Sequence, residues 1–227
     1  MWTKFNVEMK FLTQLCGSLP ADPELQKKWL EARKPRVRPP DSKSIDEVAQ
    51  EVLESTKTVE EPDVGFYVFQ RQEGGLALRM ATIRAHIKDC ARVLSSLYVG
   101  KIEKEKSFAV KVVNAVYYDP AIYWLPVLNQ TDGSPITQPT GIRDKAIHVR
   151  TPQGERSAIK TFEYVENAML RFPLLLLTQP SGKTVISKTD LKHILNYGGV
   201  HGYGGERSDG EGRYIATIDN DGVQIDD

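Results

Sequence analysis

The 227-residue sequence predicts an α+β fold with a largely antiparallel sheet. Three observations carry this. Strand patterns outnumber helical ones. The two do not alternate as regular βαβ units. Their order is strand, helical region, hairpin, helix, several strands, helix, glycine-rich loop and a last strand. That order fits a strand–helix–strand–strand–helix–strand core carrying insertions.

Phe5, Val7, Met9 and Phe11 recur at period two, which predicts a half-buried strand over 4–12. "ADPELQKKWLEAR" reads as a short helix capped by Asp22, with Pro23 in its first turn. The prolines of "KPRVRPPDSKS" mark a linker. Ser44 and Glu47 form a capping-box pattern ahead of an apolar helical face at Ile45, Val48, Ala49, Val52 and Leu53. Residues 35–63 are therefore expected to be an acidic helical insertion within a single domain spanning 1–227.

"VGFYVFQRQEGGLALRM" predicts a hairpin turning at 73–75. A helix follows over 80–98, with Ile83, Ile87, Cys90, Ala91, Leu94 and Leu97 on one face. "SFAVKVVNAVYYD" and "AIYWLPVL" read as two strands. "DKAIHVRTPQGERSAIKTFEYV" reads as two more, joined at a tight turn over 151–154. "NAMLRFPLLLLT" predicts a strand whose Pro173 calls for an edge or a bulge. Ser187 and Asp190 cap a second helix that Gly198 is expected to stop, and "RYIATIDND" closes as a strand.

Charge is balanced overall, with 30 bases against 30 acids, so net charge points to neither nucleic acid nor membrane. It is unevenly spread. Residues 41–63 hold eight acids against two lysines, and residues 79–160 hold thirteen bases against seven acids. An acidic segment ahead of a basic body points to a polyanion, or to self-association. Two cysteines, Cys16 and Cys90, fit no zinc spacing and no disulfide framework. No apolar run is long enough to span a bilayer, and the expectation is a cytoplasmic protein.

Most enzyme signatures fail. "SGKT" at 181–184 ends like a phosphate-binding loop, but the leading glycine would fall at Leu177. "GYGGER" has Arg207 where a dinucleotide fingerprint needs its third glycine, and it follows a helix instead of opening one. His86, His148, His193 and His201 have no metal-ligand spacing. No catalytic residue, cofactor or metal is assigned. The bland reading of Glu206, Asp209 and Glu211 is solvated loop acids, against a metal site.

Anion-binding patterns are better. Arg84, Lys88 and Arg92 stand at i, i+4 and i+8 on the 80–98 helix, as a solvated face or as a track for a phosphate backbone. Lys145, Arg150, Arg156 and Lys160 lie on the arms of the later hairpin, which keeps it soluble or grips phosphates. Tyr117 and Tyr118 are neighbours on a strand, so one must point outward. Trp124 reads as core. The stretch "HGYGGERSDGEGRY" at 201–214 has five glycines, two arginines and three acids. It is either a mobile loop or a place where backbone amides and arginines meet an anion.

"YGGVHGYGGERSDGEGRY", running from a helix into the last strand, resembles the C-terminal glycine-rich loop of the CRISPR-associated RAMP superfamily. Gly204, Gly205, Arg207, Gly210, Gly212 and Arg213 match that pattern, with Gly202 just ahead. "IHVRTPQGERSAI" is similar to the protruding hairpin of RAMP backbone subunits. "FNVEMKFLTQLCGSLP" is similar to their first strand. The layout also resembles small phage or prophage proteins. The acids inside the loop depart from the basic RAMP pattern. The resemblance implies a ferredoxin-like or RRM-like core and non-catalytic binding of single-stranded RNA, or less readily DNA, by a repeated subunit of an oligomer or larger assembly. Arg84, Lys88, Arg92, Lys145, Arg150, Arg156, Lys160, Arg207 and Arg213 are the candidate contacts. The alternatives are a metal-independent ribonuclease using His201 or His148, and a phage assembly protein that binds only protein.

Overall fold

The computed structural model describes residues 1–21, 65–97, 108–151, 154–219 and 222–225. The capped helices and linker expected between 22 and 63 lie outside them. The strands are β1 (Trp2–Phe11), β2 (Leu15–Cys16), β3 (Leu19–Pro20), β4 (Phe66–Val68), β5 (Gln70–Gln72), β6 (Gly75–Arg79), β7 (Val116–Tyr118), β8 (Trp124–Pro126), β9 (Leu128–Asn129), β10 (Gly141–Thr151), β11 (Gly154–Val165), β12 (Ala168–Leu177), β13 (Tyr214–Ile218) and β14 (Val223–Ile225). The helices are α1 (Met80–Leu97), α2 (Phe108–Ala115) and α3 (Lys188–His201). No described helix is long and apolar enough to cross a membrane.

The principal sheet runs β13-β1-β12-β7, every neighbour antiparallel. In chain order these four strands are the last, first, third and second of a β1–α1–β7–β12–α3–β13 unit. That is a ferredoxin-like core, with order four-one-three-two. The alternation read in β1 decides its orientation. Phe5, Val7, Met9 and Phe11 are buried in one cluster with Ile83 and Ile87 of α1 and Leu191 and Ile194 of α3. Each such side chain contributes about 1.5–3 kcal/mol when fully buried. The even positions of β1 form the other face. A second sheet, β10-β11-β4-β3, and a small third one, β5-β6-β8, flank this core. Among the pairings of the described strands, only β4 with β11 is parallel.

Several elements differ from the sequence expectation. The valine-rich 108–115 segment is helix, with strand starting only at Val116. Phe108, Val112 and Ala115 are its buried residues, spaced at i, i+4 and i+7, so tertiary packing overrides β-branched propensity. The predicted 64–80 hairpin is divided: β5 and β6 pair around Glu73 and Gly74, whereas β4 leaves for the second sheet. Trp124 is only partly buried, edge-on to Tyr123 at 4.9 Å against the small Leu19–Val68 cluster.

Pro173 sits in a strand with partners on both sides, yet its own position is locally an edge. The Asn6 amide donates to Asp219 and the Asn6 carbonyl accepts from the Asp219 amide, both away from β12. The facing Pro173 backbone therefore points to the opposite side. There β9 pairs only with Ala168 and Met169, and β7 only from Leu174 onward. The missing N–H costs no ladder bond.

Ser187 and Asp190 make the expected capping box at the start of α3. Gly198 does not stop the helix, which runs on to His201. A Cβ at Gly199 would run into the Tyr214 carbonyl, so glycine there lets α3 lie directly on β13. The stop is Gly202, whose amide donates to the Gly198 carbonyl at 2.8 Å.

Candidate nucleic-acid interface

The glycine-rich stretch after α3 is an ordered turn. Tyr203 drops into the core with 4% exposure, its hydroxyl against Thr82 of α1. The Tyr203 amide donates to the Gly212 carbonyl at 2.8 Å, and the Gly212 amide to the Gln14 carbonyl at 2.8 Å. The Gly205 amide donates to the Cys16 carbonyl at 3.1 Å. Gly212 has φ 70, and a Cβ there would meet the Tyr203 backbone. The glycines thus let two strands of loop close on each other and on the turn after β1. Gly204, with φ 93, packs beside Leu15 and Cys16, and Gly210, with φ 85, ends a short 3-10 turn over Arg207–Asp209.

This closure uses most of the loop's backbone amides. Those of Gly202, Tyr203, Gly205, Asp209, Gly210, Glu211, Gly212 and Arg213 all donate within the fold.

The loop's acids have partners. Lys145 and Lys160 face each other directly across β10 and β11, a repulsive pairing if left alone. Glu206 lies between them, 9% exposed and in the left-handed region at φ 57. It accepts from Lys145 at 2.9 Å and from Lys160, whose Nζ also stands 4.4 Å over the Tyr67 ring. Asp209 takes Lys145 at 2.5 Å, and Glu211 takes Arg143 at 3.4 Å. Burial alone would raise the Glu206 carboxyl, but hydrogen bonds from Lys160 and Lys145 outweigh it and hold it below the ordinary value. Hydrogen bonds to Asp209 and Glu206 raise Lys145 in turn. Three cations at the hairpin base are matched by three carboxylates, so Lys145 and Lys160 are neutralised inside the chain.

A different balance holds where the loop meets α1. Asp89 is the hub. Its carboxylate pairs with Arg92 at 2.9 Å and lies 3.8 Å from Arg207 and 3.7 Å from His201. The Arg207 guanidinium donates to His201 Nε2 at 3.2 Å. Tyr197 stacks on the His201 ring at 5.7 Å and His86 at 6.5 Å. One carboxylate therefore serves two arginines, and the Arg92 side chain is 74% exposed. Lys88, one turn earlier, is exposed and forms no ion pair with any described residue. Positive charge is in excess along this edge.

Beneath it, His86 is buried, with Nε2 2.9 Å from the Tyr214 hydroxyl. Desolvation, then the charge of Arg207, pushes its imidazole down to about 3. Burial is also the main force pushing the Cys16 and Cys90 thiols up to about 12.

The candidate cations therefore part company. Arg92 and Arg207 come together, with Lys88 beside them. Lys145 and Lys160 come together around Glu206. Arg84 folds onto its own core: Nη2 donates to the Val113 carbonyl at 2.6 Å and Nε to that of Val116 at 3.2 Å. The exposed Arg213 adjoins Thr13 through its backbone and makes no ion pair with a described residue. Arg150 pairs with Glu155 and Arg156 with Val149 in the far part of the hairpin, and their side chains lie outside the described residues. Sequence reasoning missed the organising roles of Asp89 and Glu206. The acid count of the loop was the available signal for Glu206. Asp89 stands among three bases and carried none.

No protein-family model matches the sequence, and no curated protein matches it. Among solved structures the chain is similar to one in the cryo-EM structure of the Type III-B Cmr-beta bound to cognate target RNA. There the identity is 11% and the TM-score 0.43, over 96% of this chain and 60% of that one. It is similar to a chain of a Type IV-B CRISPR complex at 7% identity and TM-score 0.49, over 98% and 93%. It is similar to Cmr6 from Pyrococcus furiosus at 9% identity and TM-score 0.43, over 95% and 98%. These neighbours are CRISPR-associated RAMP proteins, the group that the glycine-rich loop resembles.

Proposed function

We propose that the chain binds single-stranded nucleic acid, RNA before DNA, without cleaving it, as one subunit of a larger assembly. The observation that carries this is the uneven neutralisation of its cations. At the hairpin base three cations face three carboxylates. At the α1–loop edge, Arg92 and Arg207 share Asp89, and Lys88 stands free of described partners. A polyanion gains most where cations are exposed and underpaid by acids. In this reading Lys88, Arg92 and Arg207 contact phosphates. Arg150 and Arg156 extend the track along the hairpin, and Arg213 lies at its loop end. Repeated copies or other subunits would continue the path. The target RNA named in the Cmr-beta structure belongs to that complex; for this chain the reading rests on its own residues.

The test is a salt titration of binding to a labelled single-stranded RNA, repeated with DNA. For single strands the slope of log K against log salt is about −0.7 per phosphate contact. Arg92→Ala and Arg207→Ala are each expected to weaken binding and flatten that slope by about 0.7. Lys145→Ala is expected to leave the slope unchanged. Absence of binding to any single-stranded oligomer at low salt removes the proposal.

A further inference from the structure

Tyr117 and Arg84 form a unit that the phosphate track does not use. In β7 the alternation buries Val116 and turns Tyr117 outward, 36% exposed. The Arg84 guanidinium lies 4.2 Å over the Tyr117 ring centroid. It is fixed there by the Val113 and Val116 carbonyls, at 2.6 and 3.2 Å. Trp2 meets the same ring at 5.2 Å and 75°. Tyr117 stands opposite Leu175, Leu175 opposite Lys4, and Lys4 opposite Val223. These four residues form one row across the sheet, on the face away from the helices. Val223 is 63% exposed.

We propose that Tyr117 is a stacking platform for a nucleobase, held ready by Arg84 at one end of the cationic stripe of α1. This rests on the nucleic-acid reading and assigns its base contact. Arg84 is the first residue of the Arg84, Lys88, Arg92 spacing, which covers about 12 Å of helix. One end of that stripe therefore holds an aromatic ring, and the other holds exposed cations for phosphates. A free tyrosine would lose rotamer freedom on stacking. This ring is already fixed by a cation on one side and an indole at its edge, so that cost falls. Stacking tolerates any base, because every base has a π-face. Lys4 on the same row is placed to meet a phosphate that flanks the stacked base. A protein partner on this face would instead use Val223 and Leu175 and would ignore the π-character of the ring.

The test compares a labelled single-stranded RNA decamer with an abasic strand of equal length and charge, against wild type, Tyr117→Phe, Tyr117→Leu and Arg207→Ala. Expected is a loss of roughly 5- to 100-fold for Tyr117→Leu on the base-bearing strand, with an unchanged salt slope. Tyr117→Phe keeps the wild-type affinity. On the abasic strand, Tyr117→Leu and wild type bind alike, and both bind more weakly than wild type binds the RNA. Equal affinity of wild type for the two strands overturns the platform, and this comparison needs no variant to fold. If Tyr117→Leu binds RNA as wild type does while Arg207→Ala does not, the platform falls and the phosphate track stands. If wild type binds neither strand at low salt, both fall.

Discussion

Replacing Glu206 with glutamine keeps the side-chain volume and removes the charge that holds two lysines together. In the wild type that carboxylate accepts from Lys145 and Lys160, with the two lysine side chains 29% and 23% exposed. A hydrogen bond to a charged group is worth about 1.5–3 kcal/mol and a neutral one about 0.5–1.5 kcal/mol. Two such bonds are demoted, and the directly opposed lysines regain their repulsion. Partial exposure screens part of this, so the loss is about 2 kcal/mol. In a chain of this size that lowers Tm by roughly 4–8 °C. The pH dependence has a definite sign. The folded carboxyl is held below its ordinary value of 4.5, so below that value the unfolded chain takes up a proton first. Stability from this group is present above the ordinary carboxylate range and lost as pH falls through the folded value. Urea melts of wild type and Glu206→Gln at pH 7 and at steps down to about pH 2 read the gap directly. The reasoning is refuted by a gap below about 0.5 kcal/mol at pH 7. It is also refuted by a gap that fails to narrow with acid.

Two further outcomes are expected. Gly212→Ala meets the Tyr203 backbone at positive φ, whereas Gly210→Ala has φ 85 and open space around its Cβ. Gly210→Ala should cost about 1–2 kcal/mol in thermal melts and Gly212→Ala clearly more, and equal losses would contradict the closed loop. His86 is held neutral down to about pH 3, so the unfolded chain binds the extra proton as pH falls below the ordinary value of 6.5. Wild-type stability should therefore fall by up to about 1.4 kcal/mol per pH unit from this group, and His86→Gln should show a shallower acid slope in urea melts.

The helix α1, the strand β1 and the capping box of α3 were legible because each is a local pattern of period or cap. The segment 108–115 was not. Its valines favour strand in isolation, and only packing against α1, β7 and β12 selects the face formed by Phe108, Val112 and Ala115. The loop was half legible. Its glycines announced close backbone approach, but the surface approached is the chain's own turn at 14–17. Its acids looked anomalous because their partners, Arg143, Lys145 and Lys160, are 46 to 68 residues away. Pairing at that distance is a property of topology, and no window of sequence contains it. The outward turn of Tyr117 was one of two open choices, and the burial of Val116 decides it.

The strand β1 has one more implication, for the order of events during synthesis. Its partners are β12, β13 and β14, and the pairing Trp2 with Leu177 spans 175 positions. At about 5–20 residues per second, the ribosome needs roughly 10–35 s between making β1 and completing its first neighbour. Throughout that interval Phe5, Val7, Met9 and Phe11 form an apolar ridge with no sheet to join. The nascent chain is thus exposed to mispairing until β12 has emerged, and the slow, non-local closure of this sheet makes chaperone supply and growth temperature the levers on soluble yield.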